Sequence, residues 1–395
     1  MPDSISHPQR LLFVSGCLFT EASGPYQSLK QTAEHLVQRG HEVTVMGTRH
    51  SDDPAYPSHW SVNTHAFRRV GPPSLHFAPS FRPWIERQTL PWDIISIQGV
   101  WFHVSEAAVD WCLRHDRPYM ITVHGNFNPQ ALRISAWKKW LARKTFMRKV
   151  LQHVNCYQAL TMTEYETLRT AGVRQPICVI GNGIQCPDLD ALPEPKGYLQ
   201  SELLHRRTCL YLGRLSPIKG IERLLDAWAC VAPTDDWQLV IAGSGDDDYV
   251  AGLQNRAYVN GCRNVRFVGF VTGVVKSLWL RQADFFVLSS LSEAFPMAVL
   301  EAFAHRTPAL LTNTCGLPEV ARAGAAIEVP SSEAGLQDGL VRIMSLPSAE
   351  ISAMGQAGYE LVSTHYAWDA ICDQLESVYA WLHEGGEPPK VVLTN

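Results

Sequence analysis

Glu293 and Glu301 bracket the stretch Glu293-Ala-Phe-Pro-Met-Ala-Val-Leu-Glu301, and acids at that spacing around a helix start have a definite chemical use. The apolar run Ala283-Asp-Phe-Phe-Val-Leu-Ser-Ser290 just before them reads as a buried strand. Pro296 suits the first residue of the following helix, where its missing N–H costs nothing. One carboxylate then lies in the strand-to-helix loop and the other about a turn and a half into the helix. The N–H groups between them have no intrahelical acceptor and form a ready site for a phosphate. A second loop, Gly213-Arg214-Leu-Ser-Pro-Ile-Lys219-Gly220, follows another predicted strand and carries two cations five positions apart. Such cations can clamp a diphosphate, and Gly213 lets the backbone come close to it. The alternatives are solvated loop charges for Arg214 and Lys219, and dipole-favoured helix-start acids for the two glutamates. Cations for a diphosphate beside carboxylates for sugar hydroxyls make up the chemistry of a nucleotide-sugar site.

Two other signals carry less. Gly243-Ser-Gly245 is a fragment of a dinucleotide fingerprint, but the third glycine is missing. Asp246-Asp-Asp248 invites a metal reading, yet acids between a strand and a helix are expected to cap the helix.

These loops need strands and helices to hold them. At 395 residues the chain exceeds what a single core usually serves, so two domains are expected. It is 46% hydrophobic and 18% charged with a net charge of −4, without the basic excess of a nucleic-acid binder. Its ten cysteines include no CxxC pair and no zinc spacing, and are expected as reduced, mostly buried thiols of a cytosolic protein. The run Leu11–Phe19 is too short to span a membrane and lacks a small-residue cleavage site, so it reads as a first core strand.

Strands are expected at 11–15, 42–46, 60–67, 93–98, 118–124, 156–161 and 176–180, with a helix from Tyr26 to Gln38 closed by Gly40. The segment 186–196, with three prolines and three acids, reads as a linker. Strands resume at 208–212, 238–242, 265–268, 283–288, 308–311 and 326–329, and an amphipathic helix ends the chain from Tyr366 to Leu382. Strand–helix alternation of this kind gives mostly parallel sheets covered on both faces. The expected division is 1–185, completed by 366–395, then a linker at 186–196 and a second domain at 197–365.

Four ordered stretches carry a resemblance: Leu210-Tyr-Leu-Gly-Arg-Leu-Ser-Pro-Ile-Lys-Gly220, Trp237-Gln-Leu-Val-Ile-Ala-Gly-Ser-Gly245, Val265-Arg-Phe-Val-Gly-Phe270, and Ser292-Glu-Ala-Phe-Pro through Glu301-Ala-Phe-Ala304. In order and spacing they resemble family 4 retaining glycosyltransferases of the GT-B fold. That resemblance implies an α/β architecture of two Rossmann-like domains facing across a cleft, with the C-terminal helix crossing back to the first. It implies a catalytic set of Arg214, Lys219, Glu293 and His124. Arg214 and Lys219 would neutralise the donor diphosphate, Glu293 would hold hydroxyls of the transferred sugar, and Glu301 would accept from the ribose. Backbone at Phe295, Pro296, Met297 and Ala298 would meet phosphate or sugar oxygens, with Gly213 and Gly243 near the donor and the base beside Phe270. Many relatives carry glycine where this chain has Ala294 and Pro296, which removes backbone freedom and, at Pro296, one donor.

In the first half, Gly24 stands where relatives carry a glycine pair, and a simple turn glycine is the alternative. His124, after Ile121-Thr-Val, occupies the place of a family histidine near the transferred sugar, and Gln98 and Trp101 are expected to shape the acceptor pocket. Between Ala131 and Gln152 lie Arg133, Lys138, Lys139, Arg143, Lys144, Arg148 and Lys149, with Trp137 and Trp140 interleaved and no acid. Peripheral contact with an anionic membrane stands there against a plain basic surface helix. The string from His124 to Lys139 resembles a branch that builds bacterial surface polysaccharides, which implies a saccharide or lipid-linked saccharide acceptor. The expected activity is retaining transfer of a hexosyl unit from a nucleoside-diphosphate sugar to a hydroxyl, without cofactor, metal or nucleic acid. The expected location is cytoplasmic, peripheral on the inner membrane face. A nucleotide-sugar epimerase of similar architecture and a non-catalytic nucleotide-sugar binder are the alternatives.

Overall fold

The computed structural model describes residues 8–394 apart from 17, 20–23, 51–52, 54–59, 73–74, 89, 129–131, 133–135, 200–204 and 232–235. The chain forms two compact units, Met1–Gly183 with Trp368–Asn395, and Ile184–Ala367.

The first unit is built on β1 (Arg10–Ser15), β2 (Glu42–Arg49), β3 (Asn63–Arg68), β4 (Ile94–Gln98), β5 (Tyr119–Thr122), β6 (Cys156–Ala159) and β7 (Ile177–Val179). They pair in parallel in the order β3-β2-β1-β4-β5-β6-β7. Val392–Leu393 adds an antiparallel edge to β7, an element absent from the sequence expectations because two residues carry no periodicity. Alternation along β1 sends Leu12 and Val14 to one core and Leu11 and Phe13 to the other. The second of these cores holds Leu29, Ala33 and Leu36 of the helix Gly24–Gln38 against Ile371, Leu375 and Tyr379 of the terminal helix Trp368–Glu384. Arg39 fixes that helix through Glu376 at 2.7 Å and through Asp373, while Trp368 stacks on His35 at 4.5 Å.

The second unit is built on β8 (Arg207–Leu212), β9 (Trp237–Ala242), β10 (Val265–Gly269), β11 (Phe285–Leu288), β12 (Ala309–Thr312) and β13 (Ala326–Val329). All pair in parallel in the order β10-β9-β8-β11-β12-β13. The four central strands β9, β8, β11 and β12 are buried on both faces, which is why they read as continuous apolar runs, while the edge strands β10 and β13 expose Arg266 and Glu328. The chain winds outward from β8 in one direction and from β11 in the other. The loops following β8 and β11 therefore flank the crevice where doubly wound sheets take their ligands. Residues 186–196, expected as a linker, lie with this unit. There Arg281 donates to the carbonyls of Leu189 at 3.2 Å and Pro193 at 3.2 Å.

Candidate active site

The loops after β8 and β11 are fastened together before any ligand is considered. Leu291 N donates to Ile218 O at 2.8 Å, and Ser289 Oγ to Lys219 O at 2.9 Å. Lys219 Nζ reaches Glu293 Oε1 at 2.5 Å, where Ser290 Oγ also donates at 2.5 Å. The pair is mostly enclosed, its side chains 17% and 9% exposed. Lys219 and Glu293, to which the sequence assigned separate contacts with diphosphate and sugar, are joined to each other in the structure. One carboxylate oxygen is committed, and Oε2 has no partner among the described residues. Thr312 and Thr314 hydroxyls, from the end of β12 and just beyond it, brace the Ser290 carbonyl at 2.6 and 2.5 Å.

Arg214 is exposed, and its guanidinium makes no hydrogen bond or ion pair among the described residues. Its main chain is held, with Tyr211 donating its hydroxyl to Arg214 O at 3.1 Å. Gly213 was expected to let the backbone approach a diphosphate, and within the fold itself the glycine that close packing demands is Gly243. At φ +154, a Cβ there would lie 1.8 Å from the Gly213 carbonyl oxygen, whereas one on Gly213 would meet only the Tyr211 hydroxyl at 3.3 Å. Gly243 thus lets the loop after β9 pack beneath the Arg214 loop, where Leu215 N donates to Ser244 O at 2.8 Å.

Pro296 is the N-cap and not the first helical residue: the helix runs Met297–Ala304. The φ fixed by the ring fits either place, and the boundary moves by one residue. Met297 N turns to Phe295 O at 3.0 Å, so of the amides expected to meet the donor, those of Phe295 and Ala298 stay unpartnered among the described residues. The Phe295 side chain is buried, 6.1 Å from the Tyr366 ring. Glu301 lies in the helix, held by Lys276 Nζ at 2.9 Å through Oε1. Lys276, which sequence reasoning missed, belongs to no motif and gives no signal in the chain. Phe270, beside Gly269, is 66% exposed. The Asp246 carboxylate accepts from Tyr249 N at 3.2 Å and caps the helix Asp247–Val259, as expected.

In the first unit His124 follows β5 with φ 46, a left-handed turn that ends the strand. The ring is half-buried, its Nε2 lies 3.1 Å from Gln98 Oε1, and burial pushes the imidazole down to about 4. The next residue is pinned by a group sequence reasoning missed: Glu164 accepts from Gly125 N at 2.5 Å and Leu160 N at 2.7 Å. Burial raises the Glu164 carboxyl to about 7. Its signal was the Thr161-x-x-Glu164 spacing of a capped helix start. Gly24 is the exposed first residue of its helix, with nothing within 4 Å of where a Cβ would stand, while residues 20–23 lie outside the described residues.

The basic segment is two helices, Ala136–Lys144 and Phe146–Gln152, broken at Thr145. Trp137 and Trp140 are 68% and 63% exposed, while Lys149 pairs with Asp110 from a neighbouring helix. Arg133 lies outside the described residues. Among the described residues no helix is long and apolar enough to cross a membrane.

Comparison with known proteins places this geometry. Residues 23–186 match the family model Glycosyltransferase Family 4, and residues 206–345 match Glycosyl transferases group 1. An uncharacterized glycosyltransferase of Methanocaldococcus jannaschii is 26% identical over 369 residues, covering 89% of this chain and 92% of the relative. A glycogen synthase of Mycobacterium tuberculosis is 26% identical, covering 72% and 70%. Among solved structures, sucrose-phosphate synthase from Thermosynechococcus elongatus superposes with a TM-score of 0.77 at 21% identity, covering 96% of this chain and all of that one. The Anabaena protein HepE in complex with UDP-glucose gives a TM-score of 0.73 at 17% identity, covering 93% and 98%. With glycosyltransferase models matching in order across both units, the chain belongs to the family 4 glycosyltransferases, enzymes of the GT-B fold.

Proposed function

We propose that the protein moves a hexosyl unit from a nucleoside-diphosphate sugar to a hydroxyl of a saccharide acceptor, with retention, in the synthesis of a bacterial surface polysaccharide. The observation that carries the donor reading is the group at the crevice of the second unit. Arg214 is exposed and unpaired there among the described residues, and Lys219 and Glu293 are locked together with one carboxylate oxygen to spare. The lysine ammonium has three donors and gives one to Glu293, so two remain for phosphate oxygens. Glu301, held the same way by Lys276, has one oxygen left for ribose hydroxyls. HepE, a structural neighbour, was crystallised with UDP-glucose, in keeping with a nucleotide-sugar donor.

In the proposed step the bond from the sugar anomeric carbon to the diphosphate oxygen breaks, and its electron pair leaves with the nucleotide. The acceptor oxygen bonds to the same carbon, and its proton passes to the departing phosphate. Arg214 and Lys219 stabilise the charge growing on that phosphate, the place a metal would otherwise fill. Incubation with nucleoside-diphosphate hexoses, with and without saccharide acceptors, tests the proposal. The expected result is nucleoside diphosphate released in step with a new glycoside. Conversion of donor to an epimer without acceptor, or binding without turnover under every pairing, overturns it.

A location on the inner face of the membrane is supported by two exposed tryptophans three positions apart on a helix that also carries Lys138, Arg143 and Lys144. A lipid-linked acceptor fits that location. The nine free cysteines among the described residues fit a reducing compartment. Sedimentation with anionic vesicles is expected to pull down the protein, and much less of a variant with Lys138, Arg143 and Lys144 changed to glutamine. Equal recovery of both removes the membrane contact.

A further inference from the structure

Gln98, Thr122 and Gln158 come from three adjacent strands, β4, β5 and β6. They are direct register partners, Gln98 opposite Thr122 and Thr122 opposite Gln158. Thr122 and Gln158 are buried, 2% and 7% exposed, in strands otherwise made of apolar residues. Their polar groups bond across the sheet: Gln158 Nε2 to Ile180 O at 2.9 Å, Thr122 Oγ1 to Gln158 Oε1 at 2.8 Å, and Gln98 Nε2 to Thr122 Oγ1 at 3.2 Å. Gln98 Nε2 also reaches Ser96 Oγ at 2.8 Å, and Gln98 Oε1 faces His124 Nε2 at 3.1 Å.

The direction of every one of these bonds follows from the first. A backbone carbonyl only accepts, so the Gln158 amide nitrogen must face Ile180 and its oxygen must face Thr122. The threonine has one proton, and that oxygen needs it. Thr122 can then only accept from its other side, so Gln98 must present its amide nitrogen there. The Gln98 oxygen is left toward the histidine, and an oxygen without a proton requires one on the ring. Flipping Gln98 would set its oxygen against a hydroxyl whose proton is already given away. An unmade bond among buried groups is costly, so the order is robust.

We infer that Gln98, Thr122 and Gln158 are positioning residues forming a one-way hydrogen-bond relay, anchored on the Ile180 carbonyl, that fixes His124 as its Nε2–H tautomer and leaves Nδ1 as an acceptor. Nδ1 has no partner among the described residues. The depressed imidazole value agrees, since a neutral ring is the one that has a tautomer to fix. Whatever meets Nδ1 must therefore donate a hydrogen bond. Under the transfer reading proposed above, on which this consequence alone rests, that group is a hydroxyl and not a phosphate or a carboxylate.

The test is nitrogen NMR of the full-length protein labelled with 15N-histidine, with the His124 signals assigned by their loss in His124→Gln. Wild type is expected to show a protonated Nε2 and a bare Nδ1. Gln98→Leu cuts the relay and is expected to mix the tautomers, with kcat lower by about tenfold or more and a melting temperature lower by a few degrees, since the Thr122 and Ser96 hydroxyls and the ring N–H lose their partner. A protonated Nδ1 in wild type, or an unchanged tautomer in Gln98→Leu, overturns the relay. Should Gln98→Leu fold poorly, Thr122→Val interrupts the same path, and an unchanged tautomer there overturns the relay equally. The spectra need no substrate, so a correct tautomer in a protein that takes no nucleotide sugar would sink the transfer reading and leave the relay standing.

Discussion

The two units handle their polar groups in opposite ways. The second sets charge against charge, with Lys219 on Glu293 and Lys276 on Glu301, and keeps Arg214 exposed and unpaired among the described residues. The first holds a neutral histidine on a chain of neutral amides and a hydroxyl. Strong charges close to developing phosphate charge are useful in the transition state, because that charge appears only as the bond breaks. A neutral relay instead fixes orientation and donor–acceptor sense, which is what distinguishing one hydroxyl from another requires. Paired charge in one unit and fixed hydrogen-bond direction in the other is the contrast between them.

The largest effect expected separates two cations of the same loop. Lys219→Ala strands Glu293 in a mostly buried setting, so transfer should fall about 10²- to 10³-fold and the second unit should melt roughly 5–10 °C lower. Arg214→Ala should lose as much activity, with stability changed by less than about 0.5 kcal/mol because the side chain is exposed and unpaired among the described residues. Kinetics and calorimetry on the two variants check this, and equal melting temperatures would break the picture of a locked pair.

The next effect is on stability against pH in the first unit. His124 has a folded value of about 4 against an ordinary 6.5, so the unfolded chain binds its proton first and stability is lost as pH falls from 6.5 toward 4. Glu164 has a folded value of about 7 against 4.5, so its contribution is lost as pH rises from 4.5 through 7. The two slopes oppose each other, each on the order of 3 kcal/mol at full extent. Because burial also holds His65 and His76 of this unit below the ordinary value, the change relative to wild type carries the test: His124→Gln should lose less stability than wild type as pH falls from 6.5, and Glu164→Gln less as pH rises from 4.5. Melting curves between pH 4.5 and 6.5 would contradict this if neither variant changed the wild-type slope or both changed it in the same direction.

The smallest effect lies at Lys276. Its pair with Glu301 is partly exposed, 31% and 22%, and such pairs contribute up to about 1 kcal/mol. Lys276→Met should weaken donor binding about two- to fivefold by titration and leave the turnover of bound donor nearly intact. A loss as large as that of Lys219→Ala would mean that Lys276 touches the phosphates directly.

The same contrast governs what could be read in the chain. Arg214 and Lys219, loop cations beside glycines, and Glu293 and Glu301, acids around an apolar helix start, stand out against their surroundings and could be singled out as candidates in the chain. Every predicted strand is present, with ends shifted by up to three residues; the central ones were legible because buried parallel strands leave unbroken apolar runs, which the half-exposed β3 does not. The pairing of Lys219 with Glu293 was not legible, since it depends on β8 and β11 being neighbours across 74 positions of sequence. The relay was hidden for a related reason. Thr122 and Gln158 look like ordinary interruptions of apolar strands until the register puts them face to face. A polar residue buried inside an apolar run was the available signal, and it has meaning only once its cross-strand partner is known.

The most direct test is a thermal-shift series with UDP-, GDP-, ADP- and TDP-hexoses on wild type and Arg214→Ala. A ligand at about a hundred times its dissociation constant adds about 2.7 kcal/mol to stability, well within reach of the measurement. The account predicts that one nucleotide class raises the wild-type melting temperature and that Arg214→Ala loses most of the shift. No shift with any nucleotide sugar, or a shift undiminished in Arg214→Ala, would contradict it.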